Sequence, residues 1–225
     1  MSEIVDARSD REAAVARAVA ALRGGHIVVL PTDTVYGVAA DDFDHERTAR
    51  IFRATARSRS LPLPVLVRSP KQLMGLVTRV PAEAERLMAA YWPGELTIVV
   101  RSDPNLTWDL GDADGTVAVR MPFDEVTLDV IRAVGPLAVT SANRSGLDPA
   151  RTAAEAEVQL GEQVLVYVDD GPRESGAPST IVDLTRREPH VLREGGIPGD
   201  EALAVARGEI APHEIAPPPA SDDLA

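Results

Sequence analysis

The chain alternates short apolar segments with amphipathic ones, and this alternation is the feature that most restricts the fold it can adopt. Apolar stretches of strand length lie at 26–30, 63–67, 95–101, 116–120, 137–140, 164–168, 180–185 and 190–194. Segments with helical periodicity lie at 10–23, 44–55, 70–76, 81–90, 124–134, 151–160 and 200–207. Strands that alternate with helices predict an α/β domain built around a twisted, mixed sheet. A chain of 225 residues is long enough for one such domain and short for two.

One stretch, 30–41, carries the most informative group of polar side chains. It follows the apolar segment 26–30, which predicts a buried strand that ends at Pro31. The polar residues after that proline are Thr32, Asp33, Thr34 and Tyr36, followed by Gly37. Because ligands of α/β proteins bind where strands end, this stretch predicts one wall of a binding site. Taken alone, it is equally typical of an ordinary exit from a strand into a loop.

Three further segments place small polar or basic side chains at the ends of predicted strands. They are 116–122, in which Arg120 precedes the end of the strand, 137–146, which runs into a polar loop, and 176–183, with 192–195 shortly after it. Together with 30–41, they resemble the motifs of the YrdC/YciO family in the same order along the chain. The resemblance extends over residues 10–197, and four motifs in register are far more specific than any one of them.

The resemblance implies both a fold and an activity. It implies a single YrdC-like domain with a concave ligand site, expected here over residues 1–208. The family contains the L-threonylcarbamoyladenylate synthases, which join L-threonine, bicarbonate and ATP into threonylcarbamoyl-AMP and release pyrophosphate. A partner complex then transfers the threonylcarbamoyl group to adenosine 37 of tRNAs. The Mg²⁺ ion is expected to arrive with ATP, so no metal ligands are predicted in the protein itself.

The resemblance also assigns roles to individual residues. Thr34 and Arg120 match residues that hold L-threonine, and a planar guanidinium suits the threonine carboxylate. Further matches on the threonine side are Ser141, Ser179 and Tyr36, the last in the pocket wall. The positions that match ATP contacts are Arg57, Thr116, Asn143 and Arg193. Each residue also has an ordinary structural interpretation, such as a helix cap, a turn or a surface charge.

Two positions depart from the family pattern. Thr55 stands where the family usually has a lysine, and Leu66 stands where many members have a histidine beside the threonine. A neutral hydroxyl cannot neutralise a triphosphate, so another cation must replace the lysine if the catalytic charge is kept. Arg53 is the first candidate for catalysis beside Arg57, because both share one face of the helix if it continues to residue 57. Arg59 is the second candidate.

Composition limits the compartment and the partners. The chain has no cysteine, which excludes disulfides, thiolate metal sites and cysteine nucleophiles. No apolar run has the length of a signal or membrane segment, so a cytoplasmic protein without membrane contact is expected. A net charge of −12 and an aromatic content of 4% favour weak tRNA binding at most. Residues 209–225 are proline-rich and acidic, which predicts a disordered tail.

Three functions fit the sequence and stay open at this point. The first is an active synthase of threonylcarbamoyl-AMP, supported by the polar residues kept at the strand ends. The second is a non-catalytic paralogue that binds a nucleotide or RNA, which Thr55 favours. The third is an adenylating enzyme for another small amino acid, which the apolar Leu66 favours.

Overall fold

The computed structural model of the protein describes residues 1–41, 45–174 and 176–214. Within these ranges the strands are β1 Glu3–Asp6, β2 Val28–Leu30, β3 Gly37–Asp41, β4 Val65–Leu66, β5 Leu96–Arg101, β6 Thr116–Arg120, β7 Leu137–Ser141, β8 Val166–Asp169, β9 Thr180–Asp183 and β10 His190–Arg193. The α-helices are α1 Arg11–Arg23, α2 His45–Thr55, α3 Pro70–Leu73, α4 Ala82–Tyr91, α5 Glu125–Val134, α6 Ala153–Leu160 and α7 Gly199–Arg207. Short 3-10 turns cover Gly161–Gln163 and Pro212–Glu214.

The strands form one mixed sheet in the order β1-β8-β2-β3-β7-β4-β6-β5-β9-β10. Parallel pairs join β8 to both β1 and β2, β4 to β6, and β5 to β9, and the other neighbours are antiparallel. The prediction of an α/β domain with a mixed sheet is therefore confirmed. Among the described residues, no helix is long and apolar enough to cross a membrane.

The predicted segments correspond closely to the helices and strands, but sequence patterning misses two strands. Strand β1 begins and ends with acidic residues, which an edge strand tolerates because its outer side faces solvent. Strand β3 consists of small residues without apolar alternation, and its pairing with β2 and β7 decides its conformation. The predicted start of α2 at Asp44 lies outside the described residues, and the described helix begins at His45.

Helices α1 and α5 cover one face of the part of the sheet that contains β8, β2, β3 and β7. Asp10 caps α1 by accepting a hydrogen bond from the Ala13 amide, as Ser, Thr, Asn and Asp do at helix starts. The sheet residues that pack under the two helices include Val28, Leu30, Val139, Val166 and Val168. Their neighbours along the strands, including Val29, Val38 and Ala138, belong to a larger core on the opposite face. Both faces are apolar here because both are covered.

The same alternation has a different result in β5 and β6. Leu96, Ile98 and Val100 enter the larger core, whereas Thr97 and Val99 point to the other face and line an open cleft. Strand β6 repeats the pattern, with Thr116, Ala118 and Arg120 lining that cleft. This part of the sheet therefore supplies the concave surface that the sequence predicts.

The chain stays in contact with the domain past the predicted boundary at residue 208. Gly208 ends α7 in the left-handed conformation, with φ of 78°, and the chain then turns back. Ile210 packs against the larger core, and the turn Pro212–Glu214 follows. The rest of the predicted tail, residues 215–225, lies outside the described residues.

Candidate active site

The cleft has a volume of about 420 Å³ and brings together residues from all four sequence motifs. Eight of the predicted site residues line it, namely Thr34, Tyr36, Arg57, Thr116, Arg120, Ser141, Ser179 and Arg193. Arg53 and Asn143 are not among its lining residues. The motifs are far apart in the sequence, and the strand order of the sheet is what places them around one cavity.

One part of the cleft wall, which we call the neutral end, is Arg120, whose ion pair with Asp33 is nearly buried. Arg120 is only 6% exposed, and its Nη2 donates to Asp33 Oδ1 at 2.5 Å. Its Nη1 donates to Thr34 Oγ1 and its Nε to the Gly94 carbonyl, both at 2.9 Å. Thr34 Oγ1 also lies 2.9 Å from Thr32 Oγ1. Arg120 is thus held in one orientation, and its charge is neutralised by Asp33, a partner that the sequence analysis did not assign.

Another part of the cleft wall, which we call the cationic end, holds two arginines without a carboxylate partner among the described residues. Arg57 donates from Nε to the Leu61 carbonyl at 2.7 Å and from Nη2 to the Pro62 carbonyl at 3.4 Å. Arg193 donates from Nε and Nη2 to the Ser179 carbonyl, at 3.0 and 2.8 Å. Neutral carbonyl oxygens orient these guanidinium groups but leave their full positive charge available to a ligand.

The pKa directions agree with a cationic cleft. Burial lowers the pKa of Arg57 and, together with the nearby charges of Arg120 and Arg57, lowers the pKa of Arg193. Both groups stay protonated, because a guanidinium is charged at any pH at which the protein is folded. The free energy cost of holding like charges together is relieved when an anionic ligand binds between them.

Ser179 belongs to a hydroxyl network that sequence reasoning found only in part. Its Oγ lies 2.7 Å from Thr97 Oγ1 and accepts a hydrogen bond from Arg193 Nη2 at 3.1 Å. Thr97 was not predicted as a site residue, although the alternation along β5 puts a hydroxyl among apolar neighbours there. That local break in an apolar strand is the signal that could have identified it.

The helical face expected to carry a replacement cation does not form. Helix α2 ends at Thr55, and Ala56 has a φ of 51°, so Arg57 leaves the helix axis instead of continuing it. Arg53 remains on the exposed side of α2, away from the cleft. Arg59 forms an ion pair with Asp109 and lies 5.1 Å over the Phe52 ring. Neither arginine supplies the charge of the missing lysine.

Thr55 itself is turned into the protein. It is 2% exposed, and its Oγ1 donates to the Ile51 carbonyl one turn earlier at 2.8 Å. Its own carbonyl accepts the Ser145 amide at 2.7 Å, which ties the end of α2 to the loop after β7. In this chain, position 55 therefore supports the backbone next to the cleft.

Two predicted residues use their polar groups to shape the loops around the cleft. Asn143 Nδ2 donates to the carbonyls of Arg144 and Leu147, at 3.0 and 2.8 Å, while its Oδ1 is buried without a partner in the described structure. Thr116 Oγ1 donates to the Ala113 carbonyl at 2.6 Å. Contacts of either residue with ATP remain a prediction.

Tyr36 contributes to the wall of the cleft, but its hydroxyl faces the opposite direction. The hydroxyl donates to the Gly171 carbonyl at 2.7 Å, and the Arg173 guanidinium lies 5.5 Å over the ring. Arg173 also pairs with Asp124 and Asp170, each at 3.1 Å. This cluster fastens the segment after β8 to the motif that contains Thr34. Nothing in the sequence pattern singled out Arg173 or Asp124.

Asp124 is the buried acid of that cluster. It caps α5 by accepting from the Thr127 amide at 2.9 Å and receives Arg173 Nη1 at 3.1 Å. Burial raises the pKa of Asp124 to about 7, and this effect exceeds the opposite effects of the Thr127 amide and Arg173. Its charge therefore changes close to neutral pH.

Small and apolar residues complete the wall. A Cβ atom on Gly37 would lie 2.7 Å from Val139 Cγ1, so β3 and β7 need glycine here to pair closely. The same pairing places Ser141 opposite Gly37 at the cleft. Leu66 lines the cleft and is 5% exposed, which makes this part of the wall apolar.

The arrangement suits a ligand with two different ends. The Arg120 guanidinium and the Thr34 hydroxyl line the cleft and match the carboxylate of a small amino acid, while Asp33 keeps the local net charge low. The unpaired Arg57 and Arg193 match a phosphate chain, which needs positive charge held in place before reaction. The apolar wall and the burial of Arg120 strengthen its interaction with a carboxylate by excluding water.

Comparisons with known proteins identify the family of this chain. A family model for Sua5, YciO and YrdC proteins, described as "Telomere recombination", matches residues 20–195. A protein of Mycobacterium tuberculosis described as "Putative threonylcarbamoyl-AMP synthase" is 49% identical over 187 residues, which is 83% of this chain and 86% of that protein. The threonylcarbamoyl-AMP synthase of Pyrococcus abyssi is 37% identical over 193 residues, or 85% of this chain, but only 56% of its own length is matched.

Solved structures give the same result. P. abyssi Sua5 in complex with L-threonine superposes with a TM-score of 0.85 at 33% identity, covering 100% of this chain and 66% of that one. Escherichia coli YciO superposes with a TM-score of 0.77 at 25% identity, covering 87% of this chain and 97% of that one. The fold, the motifs and the matched family together show that this chain is a member of the Sua5/YciO/YrdC family.

Proposed function

We propose that this protein is a threonylcarbamoyl-AMP synthase, which makes threonylcarbamoyl-AMP and pyrophosphate from L-threonine, bicarbonate and ATP. The activity belongs to the modification of tRNA at adenosine 37. The observation that carries the proposal is the cleft itself, in which Arg120, paired with Asp33, and the unpaired Arg57 and Arg193 line one cavity. Relatives that bear the name of this enzyme, and a neighbour solved with L-threonine, support it.

The reaction requires two steps in one cavity. The amine of L-threonine first takes up a carboxylate group from bicarbonate, which gives a carbamate and releases water. A carbamate oxygen then attacks the α-phosphorus of ATP while the bond to the bridging oxygen of the β-phosphate breaks, and pyrophosphate leaves. Catalysis of this transfer consists mainly of positioning and of neutralising phosphate charge.

The residues at the two ends of the cleft have separate roles in this proposal. Arg120 binds the carboxylate of L-threonine through the guanidinium hydrogens that Asp33 and Thr34 leave free, and the hydroxyls of Ser141 and Ser179 complete the threonine side. Arg57 and Arg193 bind the triphosphate and stabilise the negative charge that develops as pyrophosphate leaves.

Mg²⁺ is proposed to enter with ATP. The described residues contain no group of three His, Cys, Asp or Glu side chains arranged to hold a metal ion. The carboxylate of Asp33, next to Thr34, forms an ion pair with Arg120. The oxygens of the phosphates are therefore the ligands that we propose for the ion, and its contribution is further neutralisation of phosphate charge.

The missing lysine favours a second candidate, a non-catalytic paralogue that binds nucleotide or RNA. Thr55 is turned inward, and neither Arg53 nor Arg59 reaches the cleft. Two unpaired cations remain, and we propose that these suffice for turnover. Leu66 similarly motivates a test of other small amino acids as substrates.

Pyrophosphate release by the purified protein tests the proposal directly. We expect release from ATP only when both L-threonine and bicarbonate are present, with threonylcarbamoyl-AMP identified by mass spectrometry. ATP binding without turnover would contradict the proposed synthase activity and support a non-catalytic paralogue that binds nucleotide. Faster pyrophosphate release with L-serine or L-valine than with L-threonine would show that another amino acid is the preferred substrate.

Handover of the product to a tRNA-modifying complex, weak contact with tRNA itself and a cytoplasmic location complete the proposal. They follow from the activity of the family and from the composition of the chain. Co-purification of the tagged protein with the transfer enzymes, at native expression level, is the corresponding measurement.

A further inference from the structure

A second cavity, of about 530 Å³, opens outside the active-site cleft and shares none of its lining residues. Four arginines line it, and they come from three separate segments: Arg79 between α3 and α4, Arg101 at the end of β5, and Arg186 and Arg187 in the turn between β9 and β10. We call this cavity the arginine groove. Since no single charged run of sequence produces it, the fold has brought these charges together.

The groove has a surplus of positive charge. Arg186 Nε lies 3.3 Å from Asp183 Oδ2, whereas Arg79, Arg101 and Arg187 have no ion pair within the described part of the chain. Glu83 is the acidic residue of the lining, and it also lies 3.8 Å from Arg86. All four arginines are exposed.

This local charge contrasts with the whole chain, whose net charge is −12. A large negative charge repels polyanions from most of the surface, so they are directed to the positions where the potential has the opposite sign. The arginine groove is such a position.

The chemistry of the lining favours phosphate groups. Guanidinium groups bind phosphate oxygens through two parallel hydrogen bonds, and several of them spaced along a groove fit consecutive phosphates. The lining contains no aromatic side chain on which a base could stack. The groove would therefore recognise a phosphate chain without recognising its bases.

The groove lies beside the active-site cleft. Arg101 pairs in register with Thr116, which lines the cleft. Paired residues on neighbouring strands project from the same face of a sheet. A phosphate chain bound at Arg101 would therefore lie next to a residue that lines the cleft.

We propose that the arginine groove is a second binding site, which takes a chain of phosphate groups, either the backbone of an RNA strand or a free oligophosphate. The inference is independent of the proposed function, because pyrophosphate release from ATP measures the cleft alone. It gives the weak tRNA contact expected from the sequence a location outside the catalytic cavity.

Fluorescence anisotropy with a short labelled single-stranded RNA tests the site. The full chain is compared with the double variant Arg186→Glu/Arg187→Glu and with Arg50→Glu/Arg207→Glu, which changes two exposed arginines outside both cavities and serves as a charge-matched control. We expect the groove variant to bind at least about tenfold more weakly, with a salt slope smaller by roughly 1.4 units for two lost phosphate contacts. The control should change binding less than twofold.

A second titration distinguishes the two sources of phosphate. Tripolyphosphate is titrated calorimetrically into the Arg57→Ala protein, with and without the groove substitutions. The Arg57→Ala substitution weakens the binding of phosphate in the cleft, so that binding at the groove can be measured. Groove-dependent binding of tripolyphosphate but not of RNA assigns the site to a free oligophosphate. If the groove substitutions alter neither titration, or if poly-glutamate binds the groove as tightly as RNA, the proposal is overturned.

Discussion

The two ends of the active-site cleft contain the same type of residue but differ in the charge they present. Arg120 is paired with Asp33 at 2.5 Å and is 6% exposed, whereas Arg57 and Arg193 bind only carbonyl and hydroxyl oxygens of the described chain. One end is therefore neutral and rigid, and the other is cationic. The difference shows that the partner of an arginine, rather than its presence in a motif, decides which ligand it can bind.

Replacing Arg120 by alanine should have the largest effect on this difference. The substitution leaves the Asp33 carboxylate buried without its partner, which costs about 3–5 kcal/mol of folding free energy. We expect L-threonine binding to fall more than about 100-fold, because its carboxylate loses the guanidinium fork, while ATP affinity stays within about threefold. Calorimetric titration of each ligand and urea unfolding measure these quantities. Arg120→Lys keeps the charge and serves as the control, and an equal loss of both ligands would contradict two separate ends.

Replacing Arg57 by alanine tests the cationic end. Removal of one preorganised cation should lower kcat/KM for pyrophosphate release by roughly 10²–10³, or about 2–4 kcal/mol. L-threonine affinity and the unfolding midpoint should change little, because Arg57 has no ion pair in the described structure. Steady-state kinetics with ATP as the varied substrate give the result, with Arg57→Lys as the partial rescue. An unchanged kcat/KM would show that Arg57 does not bind the triphosphate.

Replacing Asp33 by asparagine would convert the neutral end into a second cationic one. Arg120 would then lose the partner that holds its guanidinium in one orientation, so L-threonine should bind about tenfold more weakly, a loss of about 1.4 kcal/mol. Pyrophosphate, as a competitor of ATP, should bind at least as tightly as to the wild type. Asp33→Glu is the matched control, since it keeps the charge. If Asp33→Asn leaves L-threonine affinity unchanged, then neutralisation by Asp33 is not what defines this end.

The pH dependence of stability reports on the cluster of Asp124, Asp170 and Arg173, which fastens the segment after β8 to the motif that contains Thr34. The folded protein raises the pKa of Asp124 to about 7 from 3.8, so it binds this proton more tightly than the unfolded chain does. The free energy of unfolding from this group is therefore largest below about pH 4, falls as the pH rises to about 7, and is constant above. Urea unfolding between pH 4 and 8 should show this fall in the wild type.

Asp124→Asn is the control for that measurement, because asparagine keeps the cap of α5 but cannot titrate. The difference in stability between the variant and the wild type should change across this pH window and level off above about pH 7. A difference that is constant with pH would show that Asp124 titrates at its ordinary pKa.

The smallest expected effect is that of Arg53→Ala. Because Arg53 lies on the exposed side of α2 and outside the cleft, pyrophosphate release should stay within about twofold of the wild type. A large loss of activity would restore Arg53 as the replacement for the missing lysine.

Much of the fold could be predicted from periodicity. The helix over 10–23 and the strand over 116–120 were found within a residue or two, because apolar spacing and caps are local signals. The short strands β1 and β3 were missed, since pairing with neighbours stabilises them rather than their own residues. Eight of the residues predicted for the site line the cleft, whereas Arg53 and Asn143 do not, and the internal partners Asp33, Thr97 and Arg173 received no role from the sequence.

The sequence alone determined the family, the order of the helices and of the strands other than β1 and β3, and which polar residues stand at strand ends, because local patterns specify each of these. The tertiary structure decided how the charges are used. It ended α2 at Thr55 and kept Arg53 outside the cleft, and it paired Arg120 with Asp33 while leaving Arg57 and Arg193 unpaired. It also assembled four arginines from three separate segments into a groove. Electrostatic interactions depend on distance in space and on burial, and neither can be read from spacing along the chain.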